Sequence, residues 1–131
     1  MGVLVTSEQH PGMILVGKRL KPGFGQHTYA LPGGHVEFGE SFVDCGRRET
    51  QEECGITLRG MAVVPFIANV CVPEQQYHYI IPFVRGIADS EPGNSEPEKC
   101  AGWVWCKYPE GIPTPVFPSL AALVASGYSI E

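Results

Sequence analysis

No run in this chain approaches the roughly eighteen apolar residues a membrane-spanning helix needs, and no basic-then-apolar leader opens it, so neither a span nor a secretory signal is expected. Positive charge is scarce. Nine Lys and Arg stand against fourteen Asp and Glu, a net charge of −5, and they form no stripe. That excludes a surface gripping long nucleic acid by phosphate neutralisation, although a small anionic nucleotide could bind if a metal ion supplied the positive charge. Zinc-ligand spacing is also missing. The five cysteines (Cys45, Cys54, Cys71, Cys100 and Cys106) include no Cys-Xaa-Xaa-Cys pair, and no His stands at ligand distance from them. Their odd number argues for reduced thiols in a cytoplasmic compartment. There is no internal repeat, and 16 Gly and 12 Pro are too few for low complexity, so they mark turns. With 131 residues, 44% of them hydrophobic, the chain is read as one domain over residues 1–131 with one core.

The stretch from Leu31 to Ile56 is the most informative. Leu31-Pro32-Gly33-Gly34-His35-Val36-Glu37-Phe38-Gly39-Glu40 reads as a loop feeding a helix over Phe42 to Cys54. Glu40 or Ser41 can cap its start, and Gly55 suits the left-handed residue past its end. At about 100° per residue, Phe42, Gly46, Glu49 and Glu53 share one sector, with Glu52 beside Glu49. Two carboxylates thus extend a buried face, where an uncompensated carboxylate costs several kcal/mol or takes up a proton. They also oppose the helix dipole at its C-terminal end. A solvated acidic helix end is the simpler reading of Glu-Xaa-Xaa-Glu-Glu taken alone. Here Glu49, Glu52 and Glu53 can converge on a hard cation, and an all-oxygen donor set suits Mg2+ or Mn2+ over zinc.

Gly34, Glu40 and the run Arg48-Glu49-Thr50-Gln51-Glu52-Glu53-Cys54-Gly55-Ile56 resemble, at every polar and glycine position, the Nudix box of the MutT-like hydrolases, here residues 34–56. Thr50 is the one departure. The family usually has an aliphatic residue there, which should affect packing more than metal chemistry. The resemblance implies an α/β fold, an α/β/α sandwich with a mixed central sheet. It also implies that the Gly34 carbonyl joins Glu49, Glu52 and Glu53 as metal ligands. One of the glutamates, Glu49 or Glu52, would orient or deprotonate the attacking water. Arg48, an i, i+4 partner of Glu52, would orient the cluster. Glu40 lies about 13 Å from Glu49 along a helix axis, too far to share an ion, and is read as structural.

Elsewhere, residues 3–6 read as a strand in preference to the N-myristoylation pattern that Gly2 and Thr6 also satisfy. Met13–Arg19 is a second strand. The Gly12 to Lys18 spacing mimics a phosphate-binding loop, but Arg19 stands where Ser or Thr is required and the interior is apolar. Arg19 and Lys18 could still meet substrate phosphates. A Gly-rich loop (21–27) and a short strand (28–31) follow. Segments 57–72 and 77–87 form a hairpin turning at Pro73-Glu74-Gln75-Gln76, residues 103–107 a strand and 116–126 a second helix, with Pro118 in its first turn.

Ser95-Glu96-Pro97-Glu98-Lys99-Cys100 and Trp103-Val104-Trp105 resemble a eukaryotic nucleoside triphosphate diphosphatase branch of the family; Glu96 and Glu98 are read as solvated, with a place for one of them near the metal site as the alternative. Phe117 matches an aromatic that stacks on the base in nucleotide-sanitising relatives, with core packing as the competing reading. His35, Tyr77 and His78 are further candidate substrate contacts. Where relatives selective for oxidised purines carry an acidic pair, this chain has Pro113-Thr114-Pro115, which argues against that preference.

The activity the resemblance implies is Mg2+-dependent hydrolysis of a nucleoside triphosphate or modified nucleotide to monophosphate and pyrophosphate. Nucleotide sugars, ADP-ribose or dinucleotides are the alternative substrates, and a non-catalytic nucleotide-binding module is the alternative class. The partners expected are a small nucleotide, no membrane and no long nucleic acid, with the assembly open between monomer and homodimer.

Overall fold

The computed structural model describes residues 1–130. Strand β1 (Gly2–Thr6) runs parallel to β5 (Tyr77–Ala88), and β5 pairs antiparallel with β4 (Leu58–Val72), giving a mixed sheet in the order β1-β5-β4. A separate antiparallel sheet, β3-β2-β6, is built from β2 (Met13–Arg19), β3 (Tyr29–Ala30) and β6 (Cys100–Lys107). The mixed central sheet expected from the sequence is present, and its strands are hydrogen-bonded as two three-stranded sheets. They still share one layer, because strands alternate their side chains. Leu4 of β1 and Ile14 and Val16 of β2 enter one core cluster, while Val3, Val5 and Leu15 enter the other.

A helix covers each side of that layer. The first, α1 (Phe42–Cys54), has the bounds its periodicity predicts. Ser41 accepts from the Asp44 N–H at its start, and Gly55, at φ 68°, ends it in the left-handed conformation. Its Cys54 belongs to the cluster of Val3, Val5 and Val84. The second, α2 (Pro118–Ala125), starts two residues later than expected because Phe117 is still extended (φ −59°, ψ 137°). It contributes Leu120 and Leu123 to the cluster of Leu4 and Phe83. The β4–β5 hairpin turns through a short 3-10 segment at Pro73–Gln75. Strand β6 begins three residues earlier than read, at Cys100.

Two residues seat α1 on the sheet. A side chain at Gly46 would collide with Val84, so this position admits close approach of helix and strand. Thr50 is fully buried, and its hydroxyl donates to the Gly46 carbonyl at 2.7 Å. A threonine can occupy the family's aliphatic position because its one polar atom is satisfied within its own helix. Thr50→Val keeps the shape and leaves no polar atom without a partner, so the change should stay within about 1 kcal/mol by denaturant unfolding. Gly46→Leu overpacks the same contact and should destabilise by about 1–3 kcal/mol or more.

Candidate active site

The loop after β3 and the C-terminal half of α1 face each other across a cleft of about 390 Å3. Gly33 and Gly34 form its floor at the first strand: Gly33 bridges Gly2, and the Met1 amino group donates to the Gly34 carbonyl at 2.8 Å. Gly34 lies flat on the Glu49 carboxylate, in space that any side chain would fill. The cleft brings together the predicted Gly34, His35, Glu49, Glu52, Glu53 and Arg19. It also holds Lys21, Asn94, Glu96, Lys99 and Trp103.

Glu53 occupies the least solvated position among the helix carboxylates. Its carboxylate accepts from the Gly33 N–H at 3.1 Å. Burial pushes its pKa up to about 8, and repulsion from Glu49 and Glu96 adds to the shift against the opposing Gly33 bond. Glu96 arrives on the loop between β5 and β6, which is fastened to the end of α1: Gly93 N–H donates to Cys54 O at 2.8 Å and Ser95 N–H to Glu53 O at 3.1 Å. The Trp103 indole N–H reaches the same Glu53 carbonyl at 3.3 Å.

Arg48 organises the other carboxylates. It grips Glu40 with two bonds, Nε to Oε2 at 2.8 Å and Nη2 to Oε1 at 3.1 Å, and donates to Glu49 at 2.7 Å and to the His35 carbonyl at 3.1 Å. Its bond to Glu52, the partner expected from i, i+4 spacing, is the longest of these at 3.4 Å. Glu40 precedes the helix and reaches Arg48 from the loop, and this contact, with help from the Glu37 N–H, pulls its pKa down to about 2. Among the described residues no three His, Cys, Asp or Glu side chains stand gathered as an ion site. The donors nonetheless suit a hard divalent cation. They are oxygen-only, and the groups that shift Glu53 include the carboxylates Glu49 and Glu96 but no cation.

Three predicted substrate contacts lie outside the cleft lining. Phe117 packs over the Gly25 backbone, edge-on to Phe24 at 5.8 Å, with the Arg19 guanidinium 4.7 Å above its ring. Tyr77 stacks on Phe24 at 3.6 Å. His78 points to the other face of β5 and meets Asn69 at 2.8 Å. Strand alternation decides this, since His78 and Tyr77 must face opposite sides. His35 lines the cleft, with its ring stacked 5.9 Å from Tyr79. Trp103 and Lys99 were readable only as strand and loop residues; the sole signal was their place beside Glu96.

Residues 1–125 match the model of the NUDIX domain. The chain belongs to the NUDIX domain family, and its enzyme class is that of the Nudix pyrophosphohydrolases. It is similar to the RNA pyrophosphohydrolase of Escherichia coli (strain K12 / DH10B), 24% identical over 125 residues, covering 82% of this chain and 68% of that one. In structure it is similar to a MutT NUDIX hydrolase from Burkholderia pseudomallei, with a TM-score of 0.81 at 24% identity, covering 94% and 92% of the two chains. It is also similar to a C. elegans Ap4A hydrolase, with a TM-score of 0.60 at 18% identity, covering 97% and 98%. At these identities the structural likenesses speak for the fold.

The raised Glu53 pKa makes stability depend on pH. Between its ordinary value of 4.5 and about 8 the folded protein holds a proton that the unfolded chain has released. Stability therefore falls as pH rises through this window, by at most about 4–5 kcal/mol at ~1.4 kcal/mol per unit. In the absence of divalent ions, the melting temperature should drop from pH 5 to pH 8. Glu53→Gln should flatten that slope, and an unchanged slope in the variant would assign the effect to another group.

Proposed function

We propose that the protein hydrolyses a free nucleoside triphosphate or modified nucleotide to the monophosphate and pyrophosphate, with Mg2+ (or Mn2+) as cofactor. The observation that carries this reading is the charge layout of the cleft. Glu49, Glu52 and Glu53 line it together with the cations Arg19, Lys21 and Lys99, a pairing suited to a metal-bearing phosphate chain. Glu49, Glu52, Glu53 and the Gly34 carbonyl would hold the ion. When bound, it offsets phosphate charge and makes water a stronger acid. Arg19, Lys21 and Lys99 then orient the phosphates, and Glu49 or Glu52 takes the proton of the attacking water. Arg48 fixes the carboxylate it touches most closely, Glu49. The net charge of −5 favours a free nucleotide over a long RNA, and free thiols at all five cysteines fit a cytoplasmic setting.

Base recognition is assigned to the aromatic group next to Arg19. Arg19 lines the cleft while covering Phe117, so a base beyond the phosphates would meet Phe117, Phe24 and Tyr77 and would compete with Arg19 for the Phe117 ring. Stacking on a base is worth about 1–3 kcal/mol. Phe117→Ala should therefore raise KM roughly ten- to a hundredfold with kcat little changed. An unchanged KM with a large fall in melting temperature would return Phe117 to a packing role.

Chromatography of products from a nucleotide panel incubated with protein and Mg2+ tests the reaction. Monophosphate and pyrophosphate should form, oxygen-18 from solvent should enter one product only, and exhaustive chelation should stop turnover. Glu53→Gln should lower turnover by orders of magnitude with the fold intact. Orthophosphate as the primary product, or activity that survives chelation, would contradict the reading.

A further inference from the structure

We infer that Arg19 is a specificity-determining residue that makes occupation of the base seat depend on a phosphate: its guanidinium covers the Phe117 ring until a substrate phosphate draws it off. The inference rests on the nucleotide reading above and concerns how that site rejects ligands that carry no phosphate. It begins with a cation that has no carboxylate. Arg47, Arg48 and Arg59 each hold one, at 3.2, 2.8 and 2.8 Å, whereas among the described residues no Asp or Glu is paired with Arg19. Its Nε is buried and has no hydrogen-bond acceptor. The Gly-rich loop walls it in, since a side chain at Gly25 would meet both the Phe117 ring and this Nε. A buried donor left so carries its full desolvation cost. What Arg19 has instead is the Phe117 ring, its centroid 4.7 Å from the guanidinium carbon, an attraction that satisfies none of its five N–H donors.

The backbone under this contact is fastened on both sides. Arg19 N–H donates to Thr28 O at 2.9 Å and His27 N–H to Arg19 O at 2.7 Å, while Phe117 N–H donates to Tyr29 O at 2.9 Å. Seat and cover thus hang from one short segment, residues 27–29, and uncovering the ring needs rotation of the Arg19 side chain with no movement of the main chain. The place for it to go is at hand. Arg19 lines the cleft beside Lys21 and Lys99, and whereas Lys99 shares its charge with Glu96 at 3.4 Å, the charge of Arg19 is uncommitted.

A phosphate offers the guanidinium what an aromatic ring cannot, namely charge-assisted and bidentate hydrogen bonds, which are stronger than neutral ones. A nucleotide therefore supplies both the anion that removes the cover and the base that takes its place. A nucleoside supplies only the base, and it must displace a guanidinium that then has no acceptor to receive it. The phosphate and the base are thereby coupled, each favouring the binding of the other by the same factor. The enzyme discriminates through the cost set against the wrong ligand as well as through contacts to the right one. A phosphate contact without this coupling would leave nucleoside binding indifferent to Arg19.

Isothermal titration calorimetry of the full chain with guanosine, adenosine, cytidine and thymidine, and with the 5′-monophosphate of each, separates the two halves of the ligand. In Arg19→Ala the preference for the monophosphate over its nucleoside should fall about tenfold or more. The decisive readout is the nucleoside alone, which should bind Arg19→Ala roughly three- to thirtyfold more tightly than wild type, the worth of the displaced contact with the ring. Adding Phe117→Leu, which keeps an apolar side chain but removes the aromatic face, should abolish that gain, with circular dichroism showing each variant folded. Nucleoside affinity unchanged or reduced in Arg19→Ala, or a gain that survives Phe117→Leu, would overturn the inference and leave the nucleotide reading standing. A wild type that binds none of the monophosphates would overturn it too, and the product panel described above then decides the nucleotide reading separately.

Discussion

Glu53 carries a carboxylate that solvent reaches poorly, with Glu49 and Glu96 for neighbours and one backbone N–H to stabilise its charge. A fold does not keep such a group without a cost, because desolvating a carboxylate favours its neutral form. The local structure is arranged around that cost. Gly33 supplies the single donor, Gly34 leaves room for Glu49, and the loop after β5 is bonded to the last carbonyls of α1 and carries Glu96 to the same place. The divalent cation proposed above, with Glu49, Glu52 and Glu53 as its ligands, would offset that cost.

Arg48 is the counterweight. One guanidinium holds the loop before α1 through Glu40 and the His35 carbonyl, and holds the helix through Glu49. Loop and helix are thereby locked to each other at the mouth of the cleft. Arg48→Lys would keep a charge but lose the fork that bonds Glu40 twice.

The helix was legible because each of its signals is local. Ser41, the apolar spacing and Gly55 act within a few residues, and the observed bounds of α1 coincide with those expected. So were β2 and the hairpin turn. The division of the middle layer into two sheets was not legible, since it depends on which strands pair across long separations, and residue alternation is the same in either arrangement. Within the site, the box residues were legible as a motif, whereas the alliance of Arg48 with Glu40 and Glu49 was not. Helical spacing points to Glu52, but the Glu40 contact is made by a loop whose path no periodicity encodes. Trp103 and Lys99 enter the cleft by the same kind of long-range packing. His78 failed as a cleft residue for a local reason that alternation could have supplied, once Tyr77 was placed on the core side.

Binding of Mn2+ followed by electron paramagnetic resonance, in wild type and in Glu53→Gln at neutral pH, tests the central claim that the buried carboxylate exists to hold a divalent ion. The account predicts saturable binding by the wild type and affinity at least tenfold lower in the variant, with both proteins folded. Equal affinity in the two, or no saturable binding by the wild type, would contradict it.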